Sequence, residues 1–257
     1  MRRAVFISAG AALAAATAAG GVALADGPIV VLAPVNSDRP LTDIIKEFES
    51  KHAGASVRSF FGRADVVYGQ LEAGAPCDVF VSSLPDLSAK ATQKGLVEAW
   101  RPMCKLTPTI MVAKGNPLHI TGLGDLAHKG VRISMGADVT PVGRFTNALI
   151  KRAVKDYGAD FPEKFMANVV SRGVNTKGVT GQVNNGSADA GIVFKSDLIG
   201  DELQRAAEVE IAPDLAGSIQ NEIAVAKAST NKKLAQAFVD FTTSAEGQAV
   251  FHRYRLD

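Results

Sequence analysis

Apolar positions along the chain fall into short runs separated by helical patterns. From Gly27 onward, "PIVVLAPV" reads as a buried strand. "PLTDIIKEFESKHA" follows, with Leu41, Ile44, Ile45 and Phe48 at the i, i+3, i+4, i+7 spacing of an amphipathic helix. Pro40 suits its first turn, where a missing N–H costs no helical hydrogen bond. "SVRSFF" predicts a second strand, "ADVVYGQLEAG" a helix stopped by Gly74, "CDVFVS" a third strand and "DLSAKATQKGL" a helix closed by Gly95. Strand, helix, strand, helix is the pattern of a parallel sheet with right-handed crossovers.

Beyond this point the pattern changes. Leu106 to Pro117, "LTPTIMVAKGNP", is a β-rich run that suits a segment leaving the first unit. "GLGDLAHKGVRISMG" predicts a short helix and a strand, and "PVGRFTNALIKRAVKDYG" one long helix. "VTGQVNNGSADAGIVFKSDL" predicts a helix, a turn and a strong strand, which makes a second α/β unit. Ile219 to Lys227 is a strand able to return to the first unit, and two helices close the chain. The expected fold class is therefore α/β, with two lobes joined by two β crossings and a ligand cleft between them. The expected division is 26–108 with 220–257 as lobe 1 and 109–219 as lobe 2. A single α/β domain is the simpler alternative.

The 257 residues, 47% of them hydrophobic, suffice for two small cores. Residues 1–25 stand apart from that fold: Arg2-Arg3, an apolar small-residue stretch and "ALAD" with a cleavage site after Ala25 read as a signal peptide. The paired arginines leave general and twin-arginine export both open. No cysteine stands at the cleavage site, which argues against a lipoprotein. Without the leader the chain carries 26 basic and 26 acidic residues. A neutral chain without a basic run argues against nucleic acid as a partner. Cys77 and Cys104 could form one disulfide or remain two buried thiols; the sequence leaves both open.

No catalytic signature is present. His52, His119, His128 and His252 lie near helix ends or in polar loops, where a solvated histidine is expected, and none pairs with a second ligand-type residue. No G-x-S-x-G elbow, Walker A loop or G-x-G-x-x-G occurs. Neither a metal nor a cofactor is expected. What remains is binding at helix starts, whose free N–H groups and positive dipole ends receive anions. Three such turns stand out: Pro34–Asp43 with Ser37, Asp38 and Arg39; the Gly62-Arg63 turn; and Asp138–Phe145 with the amides of Val142 and Gly143. Each also reads as ordinary helix capping, by Ser37 or Asp38 in the first and by Thr140 with Pro141 in the third. Three in two lobes, at the carboxyl ends of strands, point to an anion site in an α/β crevice.

Several segments then resemble one family. "GAPCDVF" (Gly74 to Phe80), "PVGRF", "SADAGIVFKSDL" (Ser187 to Leu198), "GDLAHKGVRISMG" and "AFVDFTTSAEGQAVF" are similar to segments of the periplasmic molybdate-binding proteins of ABC importers. The resemblance covers most of the chain after the leader. It implies a two-lobe type II periplasmic binding protein fold, each lobe a mainly parallel sheet flanked by helices, with Asp78 opening a central strand. It further implies a periplasmic, monomeric receptor that captures a small anion and presents it to an ABC permease in the inner membrane. The family holds a tetrahedral dianion with serine hydroxyls, backbone amides and a tyrosine hydroxyl. Here Ala64 falls at the second-helix serine, between Arg63 and Asp65, and Phe194 falls at the tyrosine. Val142 and Thr176 fall where amide donors of the second lobe are expected. Asn36, Ser37, Asp38 and Arg39 replace the first-helix serine turn.

Two hydroxyl donors are thus lost and two arginines gained. Each unpaired anion oxygen costs about 1–3 kcal/mol, so two losses weaken molybdate on the order of a hundredfold unless Arg39 or Arg63 compensates. The expected ligand shell is Ser37, Arg39, Arg63, Ala64, Val142, Thr176 and Phe194, around molybdate, tungstate or an organic anion such as a phosphate ester or carboxylate. A role in sensing and an esterase built on Ser37, Asp38 and Asp65 are competing expectations.

Overall fold

The computed structural model of the protein describes residues 27–257. The leader assigned to 1–25 lies outside the described residues. The first sheet contains β1 (Ile29–Pro34), β2 (Val57–Gly62), β3 (Val79–Ser82), β4 (Arg101–Leu106) and β10 (Ile219–Val225) in the order β2-β1-β3-β10-β4. The second contains β5 (Pro108–Ala113), β6 (Ile133–Gly136), β7 (Val169–Gly173), β8 (Ala190–Phe194) and β9 (Ala206–Val209) in the order β7-β6-β8-β5-β9. The two orders are equivalent. Each sheet has three parallel strands, then one strand that crosses between the lobes, then an antiparallel edge.

The sheets are less parallel than expected. In each, the crossing strand pairs antiparallel on both sides: β10 with β3 and β4, and β5 with β8 and β9. A strand entering from the other lobe needs no crossover helix, so nothing imposes parallel pairing on it. The β run expected over Leu106–Pro117 is two strands of different sheets, and Thr107 between them accepts the Lys195 N–H at 2.8 Å. β4 begins upstream at Arg101, where alternating exposure hid it.

The first lobe's helices are α1 (Asp38–Lys51), α2 (Ala64–Glu72) and α3 (Pro85–Gln93). The second lobe's are α4 (Pro141–Arg152), α5 (Val154–Tyr157), α6 (Phe161–Ala167), α7 (Thr176–Asn184), α8 (Glu202–Arg205) and α9 (Pro213–Ala216). α10 (Lys232–Thr242) and α11 (Ala245–Arg253) return to the first lobe. Leu41, Ile44, Ile45 and Phe48 of α1 are all buried, as their spacing requires. The single long helix expected from Pro141 to Gly158 breaks after Arg152, and Gly158 ends α5 at φ +95°. β7 and β9 are edge strands with polar, half-exposed patterns, so no apolar run announced them.

Apolar clusters cover both faces of each sheet. Val142 and Phe194 of the second lobe belong to the first lobe's largest cluster, beside Ala33 and Val81. The lobes therefore touch at the base of the cleft. Three ion pairs among the described residues bridge them, Asp38–Lys177 at 3.0 Å, Asp86–Arg144 at 2.8 Å and Arg255–Glu208 at 2.8 Å. Cys77 and Cys104 are free, and burial pushes both thiols up, Cys77 to about 12. They lie in separate clusters and act as small core side chains. His52 departs from the solvated histidine expected: its ring stacks on Phe48 at 4.1 Å.

Candidate functional site

A small cavity lies between the lobes, at the carboxyl ends of the parallel strands. The first lobe lines it with Pro34, Val35 and Asn36 after β1 and with Gly62, Arg63 and Ala64 after β2. The second lobe adds Val139–Val142 after β6, Val174–Thr176 after β7, and Phe194 from β8. Three helices begin at its wall, with Ala64 first in α2, Val142 second in α4 and Thr176 first in α7. Amides at those positions have no acceptor within their helix.

The side chains around these amides are largely committed elsewhere. Thr140 Oγ1 accepts the Gly143 N–H at 3.0 Å and donates to the Ala137 carbonyl at 2.7 Å. Asn175 Oδ1 accepts the Gly178 N–H at 2.9 Å. Thr176 Oγ1 donates to Asp197 Oδ1 at 2.7 Å, and the Phe194 N–H donates to Asp197 Oδ2 at 2.9 Å. Arg63 reaches the cavity wall, yet its guanidinium grips Asp65 through two bonds of 3.1 and 2.6 Å. Asn36 Nδ2 is buried and without a partner. No carboxylate lines the cavity.

Of the residues expected to form the ligand shell, Arg63, Ala64, Val142, Thr176 and Phe194 come together here. Ser37 does not line the cavity; its side chain is 1% exposed and its hydroxyl accepts from Asn221 Nδ2 at 3.0 Å. Arg39 lines a second chamber with Asp38, Lys177, Asp197, Glu202 and Tyr254, continuous with the first through Val35, Asn36, Asn175 and Thr176. In the sequence Asn36 is marked only as part of the first turn. Its neighbour drew attention because a serine hydroxyl at a strand-to-helix turn is a familiar donor, and a short 3₁₀ turn over Val35–Ser37 decides which of the two faces the cleft.

Asp197 anchors the floor between the two chambers. Burial pushes its carboxyl up to about 6, against hydrogen bonds from Phe194 and Thr176 and the charge of Arg39, which pull it down. A carboxyl raised from 3.8 to about 6 on folding binds its proton more tightly in the native state. Its contribution to stability is therefore lost as pH rises through that interval, on the order of 3 kcal/mol in all. Asp197→Asn has no such titration. Urea unfolding at pH 4 and pH 7 should show the wild type losing stability relative to the variant by about that amount; a pH-independent difference would contradict the assignment.

Among the described residues no group of His, Cys, Asp and Glu could hold a metal ion, and no helix is long and apolar enough to cross a membrane. The chain matches the bacterial extracellular solute-binding protein family over residues 29–254, and it belongs to that family. More narrowly, it is similar to the molybdate-binding protein ModA of Mycobacterium tuberculosis, 30% identical over 227 residues that cover 86% of this chain and 81% of that one. Solved structures agree in fold. The sulfate-binding protein SubI of M. tuberculosis superposes with a TM-score of 0.81 at 20% identity, covering 90% of this chain and 86% of that one. The substrate-binding domain of a putative molybdenum ABC transporter from Clostridium difficile gives 0.74 at 21%, covering 90% and 98%. The chain is a ModA-like solute-binding protein of the two-lobe type II fold, and its relatives are binding proteins of transporters rather than enzymes.

Proposed function

We propose that the protein captures a fully deprotonated tetrahedral oxyanion of the molybdate or tungstate kind in the cleft between its lobes. The observation that carries this is the chemistry of the cavity wall: amide donors at three helix starts, the buried and unpartnered Asn36 Nδ2, and no carboxylate to accept a proton from the ligand. An anion that retains a proton finds no carboxylate in this cavity to take it, which disfavours it by about 1–3 kcal/mol in a closed site. Ala64, Val142 and Thr176 contribute backbone N–H groups, so the alanine in place of a serine removes a hydroxyl without removing the amide. Phe194 closes the floor without a donor, and Arg63 supplies positive potential while paired with Asp65. Closure of the lobes excludes water from the anion.

In the cell the chain then acts as a monomer, exported through residues 1–25 to the periplasm, and delivers its cargo to an ABC permease. The second chamber supports an alternative cargo. Its uncommitted Arg39 guanidinium stands where the tail of an organic anion would reach, and arginine grips carboxylates and phosphates with two donors.

Thermal unfolding against molybdate, tungstate, sulfate, phosphate and small phosphate esters tests both readings. At a hundredfold excess over Kd, a ligand bound only to the folded state adds about 2.7 kcal/mol, or roughly 5–10 °C for a chain of this size. Such a shift with molybdate or tungstate and none with phosphate is expected. A shift with organic anions alone would replace the first reading by the second.

A further inference from the structure

Behind the cavity wall lies a buried polar chain that the anion site as described does not use. Ser37 and Asn221 are each 1% exposed. Asn221 Nδ2 donates to Ser37 Oγ at 3.0 Å, and Ser37 Oγ donates onward to Asn36 Oδ1 at 3.4 Å. A hydroxyl has one proton. Ser37 accepts from Asn221, so its proton is free for Asn36 and meets the oxygen of the Asn36 amide; at the other end of the chain Asn221 Oδ1 is, like Asn36 Nδ2, buried without a partner. The nitrogen of the same amide is then turned the other way, and it is buried without a partner at a residue lining both chambers. A buried donor without an acceptor is costly, and natural folds keep few of them. The chain begins in β10, two residues beyond Ile219, whose side chain packs against the main cores of both lobes.

We propose that Asn221 and Ser37 are positioning residues that pin the Asn36 amide with Oδ1 toward the protein and Nδ2 toward the ligand, so that Asn36 sets specificity as a donor-only contact. The proposal rests on the anion reading given above. A serine at the cleft can donate or accept, and an unpinned asparagine can turn by half a revolution to do either. A pinned one can only donate. It therefore favours sulfate, molybdate and tungstate, which carry no proton near neutral pH, over phosphate, which carries at least one. The selectivity is written partly in residues that never touch the ligand, and it originates on a strand that crosses between the lobes.

Titration calorimetry at pH 7.5 with molybdate, sulfate and inorganic phosphate tests this on the wild type, Asn36→Ala, Ser37→Ala and the double variant. Asn36→Ala should weaken molybdate and sulfate by roughly tenfold or more; because it also removes the acceptor of the Ser37 hydroxyl, affinity is compared per folded molecule. Ser37→Ala should weaken the dianions severalfold and narrow their advantage over phosphate, because the released amide can now accept. In the Asn36→Ala background the same change should add nothing, the mark of two residues acting as a unit. Additive losses, or an unchanged ratio of phosphate to sulfate affinity in Ser37→Ala, would overturn the positioning role. If Ser37→Ala does not fold, Asn36→Ala decides alone: dianion affinities equal to wild type would sink the proposal. Should the wild type bind none of the three anions, the functional reading fails first and this one falls with it; wild-type binding that Asn36→Ala leaves intact defeats only the present inference.

Discussion

Gly143→Ala is expected to cost about 3–4 kcal/mol of stability and to weaken anion binding at least tenfold. Gly143 is the third residue of α4, and its N–H is held by the Thr140 hydroxyl at 3.0 Å. The helix start presses so closely on the turn after β6 that a Cβ there would overlap the Ala137 carbonyl oxygen and lie 2.6 Å from that of Gly136. Both obstacles are backbone, so no rotamer change relieves them, and the helix must move away from the sheet. Val142, which lines the cavity, moves with it, and a shift of about 1 Å is enough to misalign a hydrogen bond to an anion. Gly69 supplies the control. It lies in α2 with open space around its Cα, and alanine there should stabilise by about 0.5–1 kcal/mol. Urea unfolding of the two variants, followed by anion titration, separates the effects. A Gly143→Ala protein within 1 kcal/mol of wild type would mean that the turn yields where close approach says it cannot.

The same contact shows what the sequence could and could not convey. "TPVGRF" marked a helix start through its cap and proline, and α4 begins at Pro141 with Thr140 as its N-cap. Strand-to-helix turns are legible because local hydrogen-bonding rules choose their residues. The convergence of Ala64, Val142, Thr176 and Phe194 on one cavity followed from the family resemblance and not from periodicity, since nothing local says that turns from two lobes meet. Ser37 and Asn36 mark the limit. A one-residue difference in which side chain a short turn directs into the cleft depends on the buried partner Asn221, 184 positions away. Arg63 shows another limit. Its cationic promise is answered by Asp65 two residues on, which was visible in the sequence, but whether the pair closes on itself or opens to a ligand depends on the turn between them. Edge strands β7 and β9 escaped notice because a half-exposed edge carries no apolar run.

Asp78→Ala is expected to be about as damaging as the glycine change, although its side chain lies outside the cavity wall. The aspartate stands in "GAPCDVF", where a carboxylate before a buried strand invites a ligand role. The structure gives it a different one. Oδ2 accepts the Val30 N–H of β1 at 2.8 Å, and Oδ1 accepts the Ser229 hydroxyl beyond β10 at 2.6 Å. Its own N–H donates to the Val30 carbonyl at 2.8 Å, and its carbonyl accepts the Ala226 N–H at 2.8 Å. One residue thus ties together three neighbouring strands of the first sheet, including the one that returns from the second lobe. Alanine keeps the backbone bonds but strands a buried amide and a buried hydroxyl, at about 1–3 kcal/mol each, for a total loss of roughly 3–5 kcal/mol. Asp78→Asn should cost about half as much, because an amide oxygen still serves one donor while its nitrogen faces the other. Ser229→Ala should cost still less, about 1 kcal/mol, because the carboxylate it abandons retains Val30. Urea unfolding of the three variants should give that order. The loss should appear with affinity per folded molecule unchanged, since Asp78 holds the sheet and not the anion. A folded Asp78→Ala protein that retains stability but loses the anion would instead make this aspartate part of the site.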